Sequence, residues 1–152
     1  MPKFEDQLTE LVLTVFRVNG AMVQWGDQFA LPFGLTSARW QMLGALALSD
    51  RPISAPRIAE VMGVTRQGAQ KQLNLLQDEK LIERLQNPSN MRSPLYRLST
   101  LGEVRYRELE AAWKKHARSL ARQLDSQEIG AANQVLASLV SLHSQPSEEE
   151  DQ

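Results

Sequence analysis

Not one cysteine occurs in this chain, which excludes disulfides, thiolate metal sites and cysteine-based redox sensing. Histidine is almost as scarce. His116 and His143 stand apart in helical sequence with no second ligand at metal spacing, so neither a metal nor any other cofactor is expected. No Ser/His/Asp arrangement and no phosphate-cradling glycine loop is visible, so the chain is not expected to be an enzyme. Aromatic residues make up only 6% of the 152 positions. No apolar run reaches membrane-spanning length and no signal peptide is evident, so a cytoplasmic protein without membrane contact is expected. The net charge of −1 gives by itself no reason to expect nucleic acid.

The placement of charge does give one. Residues 1–50 carry three basic and five acidic side chains, residues 51–97 eight and four, and residues 98–152 six and nine. The positive excess therefore falls on one segment, as a chain needs if a single face is to dock on phosphates. That segment, Ile53 to Gly102, reads as two short helices followed by a two-stranded wing. At its centre Ala59 allows two helices to cross closely and Gly63 makes the turn between them. Thr65 then caps the second helix. Ala69, Leu73 and Leu76 recur at the spacing of a buried face, while Gln67, Gln70, Lys71 and Asn74 share another. Amides and a lysine on one stripe suit a major groove, because Gln and Asn bond adenine while Lys bonds guanine or phosphate. Gly68, inside the same helix, costs about 1 kcal/mol relative to alanine and is expected to permit close approach to something outside.

Long amphipathic helices flank this segment. Phe4, Leu8, Leu11, Val15, Val18, Met22, Trp25 and Phe29 are spaced by alternating fours and threes, widened by Val12, Phe16 and Val23. Leu31-Pro-Phe-Gly34 ends that helix and Thr36 caps the next. Asp50 to Ile53 is read as extended, and Ser54 as the cap of the following helix. Leu81-Ile-Glu-Arg-Leu85 and Leu95-Tyr-Arg-Leu98 read as short strands around a Pro/Asn/Ser-rich tip, Gln86 to Pro94. Ser99 or Thr100 opens another long helix, and Asp125 with Glu128 marks the start of a last one. The expected fold is mainly α with a small β-wing, one domain over 1–152. Within it, 35–98 forms the winged helix-turn-helix, 1–30 and 99–143 are dimerisation helices, and 144–152 is a flexible acidic tail. A winged unit is too small to cover both terminal helices, so a two-fold homodimer is expected to interleave them.

Leu35-Thr-Ser-Ala-Arg-Trp-Gln-Met-Leu, the Ala59/Gly63 turn, Leu81-Ile-Glu-Arg, the Asn-Pro tip and Leu98-Ser-Thr-Leu-Gly102 together resemble the multiple antibiotic resistance regulator (MarR) family over nearly the whole chain. The resemblance implies a homodimeric winged-helix transcription factor, usually a repressor. It implies binding to a pseudo-palindromic operator in double-stranded DNA and release by a small aromatic or anionic effector. Thr65, Arg66, Gln67, Gln70 and Lys71 match the recognition helix, and Arg92 matches a wing-tip arginine that enters the minor groove. The tip departs from the family pattern Asp-Pro-x-Asp-Arg-Arg: here Asn87-Pro88-Ser89-Asn90-Met91-Arg92 lacks two carboxylates and one arginine. A weaker wing contribution is therefore expected, with Arg92 less firmly braced.

Phe16, Trp25, Phe29 and Trp40 are candidates to line an effector pocket, although aromatics at helical spacing more often form plain core. The competing reading is a dimeric winged-helix interaction module that has lost DNA binding. Such a module has no need of an uninterrupted polar face with Arg66, Lys71 and Arg92.

Overall fold

Proline and glycine decide where the first helix stops. In the computed structural model, which describes residues 1–144, α1 (Phe4–Ala30) gives way to a single 3-10 turn, Leu31–Phe33, with Pro32 in its first turn. Gly34 closes that turn at φ 70, its N–H donating to Leu31 O. Thr36 then caps α2 (Ser37–Ala47) by accepting from Arg39 N–H, and the Ser37 N–H donates to Asp27 Oδ1 at 2.8 Å. A carboxylate from α1 thus holds the start of α2.

Strand β1 (Ile53–Ser54) leads into α3 (Ala55–Met62). Ser54 occupies the cap position, but its side chain makes no capping bond, contrary to expectation. Pro56 removes one of the N–H groups that a cap would bond. Gly63, at φ 67, makes the turn, and the Val64 N–H returns to Ala59 O at 3.0 Å. Helix α4 (Arg66–Asp78) follows and ends with Lys80 in the left-handed region at φ 63.

Strands β2 (Ile82–Leu85) and β3 (Leu95–Leu98) pair antiparallel, with Arg84 opposite Tyr96. The sheet has three strands rather than the expected two. Ile53 and Ser54 pair with Tyr96 and Leu95 on the other edge of β3, giving the order β1-β3-β2. Two residues are too few for a strand to show alternation in sequence. Beyond the wing, Ser99 Oγ donates to Lys80 O and accepts from Gly102 N–H, so Ser99 opens α5 (Thr100–Ala121). Helix α6 (Ser126–His143) starts at Asp125, whose carboxylate accepts from the N–H groups of Gln127 and Glu128.

The chain falls into two compact units, with the boundary inside α5 after Glu110. In the first, Leu35, Met42, Leu43, Ile58, Ala69, Leu73, Leu76, Leu81, Tyr96 and Leu109 form a continuous core of buried residues. All three apolar positions expected on the inner face of α4 are fully buried there. On α1 only Gly26 and Ala30 are buried. Phe4, Leu8, Val15, Phe16, Val18, Met22 and Val23 remain exposed. In the second unit, Trp113, Ala117, Leu120, Leu124 and Ile129 line an apolar groove of about 410 Å³. No residue of α6 is buried. The acidic residues at the C-terminal end, expected to be a flexible tail, lie after Ser144 outside the described residues. No helix among those described is long and apolar enough to cross a membrane.

Candidate nucleic-acid interface

The surface of α4 is built by its cap and its core face together. Thr65 Oγ1 accepts from Gly68 N–H at 3.0 Å, fixing the first turn. A Cβ on residue 68 would stand 3.0 Å from that same Oγ1. The first turn of α4 is thus closely packed around Gly68. Thr65 is likewise engaged as a cap through its hydroxyl oxygen, which makes it a positioning group for the helix first. At the other end, Arg39 of α2 pairs with Glu79, tying the last turn of α4 to the core.

With Ala69, Leu73 and Leu76 pointing inward, Arg66, Gln67, Lys71 and Asn74 are all exposed, as the spacing requires. Gln70 differs: it is half-buried, and its amide nitrogen donates to Asn74 Oδ1 at 2.9 Å and to the Tyr96 hydroxyl at 3.2 Å. The stripe is thus one exposed set with a tethered member. Tyr96 is the residue the sequence reading passed over. Its signal was there, since within Leu95-Tyr-Arg-Leu98 it alternates inward, and a buried tyrosine hydroxyl needs a polar partner.

The wing tip is organised by its asparagines. Asn87 Oδ1 accepts from Ser89 N–H at 3.1 Å, while Asn87 Nδ2 donates to Ser93 O at 2.9 Å. Asn90 Oδ1 accepts from the Arg92 N–H at 3.1 Å, and two turn bonds, Asn90 N to Asn87 O and Ser93 N to Asn90 O, close the loop. These are side-chain-mimicked turns, which asparagine forms as readily as aspartate. The backbone N–H of Arg92 is thus held by an amide oxygen at the position where the family pattern has a carboxylate. Its side chain is exposed. At the base of the wing Arg97 pairs with Glu83 at 2.9 Å. Arg84 is exposed on β2, and its pairing with Tyr96 puts it on the sheet face that reaches α4.

The four aromatic candidates do not assemble as one pocket. Trp25 stacks on Phe29 at 4.7 Å between centroids, and Phe29 meets Trp40 at 5.4 Å and Phe33 at 6.4 Å. Phe29, Phe33 and Trp40 pack against the core. Phe16 is 69% exposed and stands apart, two and more turns up α1 from the cluster. A cleft of about 420 Å³ opens elsewhere in the same unit, lined among others by Arg51, Pro52, Arg97, Leu98, Tyr106 and Arg107. Burial first, and then the charge and hydrogen bond of Glu110, raise the pKa of Tyr106 above the usual phenol value. Among the described residues no group of three or more His, Asp or Glu could hold a metal ion.

Comparison with known proteins agrees with this architecture. The MarR family model matches residues 33–93. An uncharacterized protein of Mycobacterium bovis and one of Mycobacterium tuberculosis are each 39% identical over 97 residues, 64% of this chain and 66% of theirs. The match thus spans just under two thirds of those relatives. Among solved structures, a MarR family transcription regulator superposes with TM-score 0.76 at 25% identity over 91% of both chains. A mutant E. coli MarR complexed with operator DNA gives 0.75 at 18% identity, over 91% of this chain and 99% of that one. A S. aureus MepR-DNA complex gives 0.73 at 24%, over 84% and 95%. With the winged helix-turn-helix on the residues that match the MarR family model and the same architecture beyond them, the chain has the fold of these solved structures.

Proposed function

We propose that the protein is a sequence-specific transcription regulator that binds double-stranded DNA as a homodimer, acting as a repressor at a pseudo-palindromic operator. The observation that carries this reading is the exposed set Arg66, Gln67, Lys71 and Asn74 on one face of α4, with Arg92 on the adjoining wing. Helix α4 would enter the major groove, where these side chains meet base edges and phosphates, and Arg92 would reach the flanking minor groove. Two solved neighbours carry DNA in their structures, which adds support. The dimer is supported by the uncovered apolar stripe of α1 and the apolar groove between α5 and α6. Release by a small effector belongs to the same reading. Its candidate place is the cleft lined by Arg51 and Arg107 together with Asp50 and Glu103, which has β3 in its wall.

The test is footprinting and titration on a selected operator. Two-fold symmetry predicts half-site centres about 10 base pairs apart. Lys71→Ala should weaken binding on all sequences and reduce the salt slope by about one phosphate, whereas Gln67→Ala should cost about 1–3 kcal/mol at particular base pairs. Unchanged affinity in both variants refutes the assignment of this face.

A further inference from the structure

We infer that Tyr96 is a positioning residue for base reading: from inside the fold its hydroxyl holds the Gln70 carboxamide, so that α4 offers an acceptor at Gln70 and a donor at Asn74. The inference rests on the DNA-binding reading above. A glutamine side chain has two N–H donors and one carbonyl acceptor. Both donors of Gln70 face protein, one toward Asn74 Oδ1 at 2.9 Å and one toward the Tyr96 hydroxyl at 3.2 Å. Only Oε1 remains for a groove. Tyr96 is 2% exposed and sits in the middle strand, paired with Arg84 on one side and Ile53 on the other. Its hydroxyl cannot follow Gln70 outward. Asn74 has its oxygen taken by Gln70, which leaves its amide hydrogens to donate.

An untethered glutamine reads adenine by accepting from N6 and donating to N7 at once. The tethered Gln70 has no donor left for N7. It accepts from adenine N6 or cytosine N4, whereas guanine O6 and N7 and thymine O4 present only acceptors and leave Oε1 unpaired. Asn74, one turn along, supplies the complementary donor. Removing the Tyr96 hydroxyl leaves only Asn74, an amide that can itself turn, to hold the carboxamide, so the two can turn over together, which exchanges the donor and acceptor ends of Gln70 and makes all four bases acceptable.

The experiment selects sites from a randomised duplex library with wild type, Gln70→Ala, Tyr96→Phe, the double variant and Gln70→Glu. Gln70→Ala identifies the base position concerned. The expected result is a wild-type preference there for adenine or cytosine that falls about fivefold in Tyr96→Phe, the size of one hydrogen bond. The salt slope stays the same, since no phosphate contact changes. In the Gln70→Ala background Tyr96→Phe adds nothing to base preference, and Gln70→Glu, which only accepts, keeps the preference at lower affinity. A general affinity loss in Tyr96→Phe with base preference retained is the signature of a merely structural tyrosine and overturns the inference. So does a wild-type preference for guanine or thymine at that position, which would require a donor from Gln70, a result that stands even if Tyr96→Phe folds poorly. Wild type that enriches no site overturns the DNA reading, and the inference with it.

Discussion

Of the glycines in the chain, Gly102 leaves the least room for a side chain. A Cβ at this position would lie 1.9 Å from Leu81 O, which also accepts the Ser99 N–H at 3.0 Å. A backbone carbonyl in a bonded turn has nowhere to go, so the first turn of α5 would have to lift from the α4–β2 junction. Gly102→Ala should therefore cost about 3 kcal/mol, at the upper end of overpacking, and be measurable as a lowered midpoint of urea unfolding. A change within 0.5 kcal/mol, about what an ordinary surface substitution causes, would show that the junction yields easily. At this scale the sequence was partly legible. The Leu98-to-Gly102 motif stood out, but the partner of its glycine did not, because Leu81 is far along the chain and only the fold brings it near. Gly68 has its contact close by, its N–H donating to the Thr65 cap three residues back.

Among elements, the helices were read well because each carries a periodic face and a stop signal. Thr36, Gly63, Thr65 and Asp125 all act where their residue types predict. β1 was read only as an extended piece, since two residues hold no pattern. The wing tip was readable as a turn but not as a braced one. Its two asparagines differ in what they do, and that difference can be tested. Asn90 uses only its oxygen, toward Arg92 N–H, whereas Asn87 uses both ends of its amide. Asn90→Asp should keep the loop closed. Asn87→Asp loses the donor to Ser93 O and sets a carboxylate against that carbonyl, at a cost of about 1 kcal/mol. Amide hydrogen exchange across the tip should be faster in Asn87→Asp alone, and equal rates in the two variants would contradict the assignment.

At the scale of the whole molecule, what one chain leaves uncovered matters most. Over the 27 residues of α1 the apolar stripe stays largely exposed, and it is this surface that the proposed second copy would seat. Leu11→Asp should give a monomer or an unfolded chain, since a second copy would bury its carboxylate unpaired. Sedimentation reads the outcome, and wild type that stays monomeric at micromolar concentration refutes the dimer. The aromatic cluster was the least legible feature, because helical spacing cannot distinguish rings that pack on one another from rings that enclose a void.

The amide-closed wing has one more consequence, for how the molecule meets a changing environment. Its hydrogen bonds come from Asn87 and Asn90, and the bases and phosphates would face Arg66, Gln67, Gln70, Lys71, Asn74 and Arg92. Neither asparagine ionises, so the side-chain bonds that close the tip depend on no titrating proton. A loop closed by aspartates would slacken as they protonate. This one, closed by amides, keeps those bonds in acid for as long as the fold itself holds.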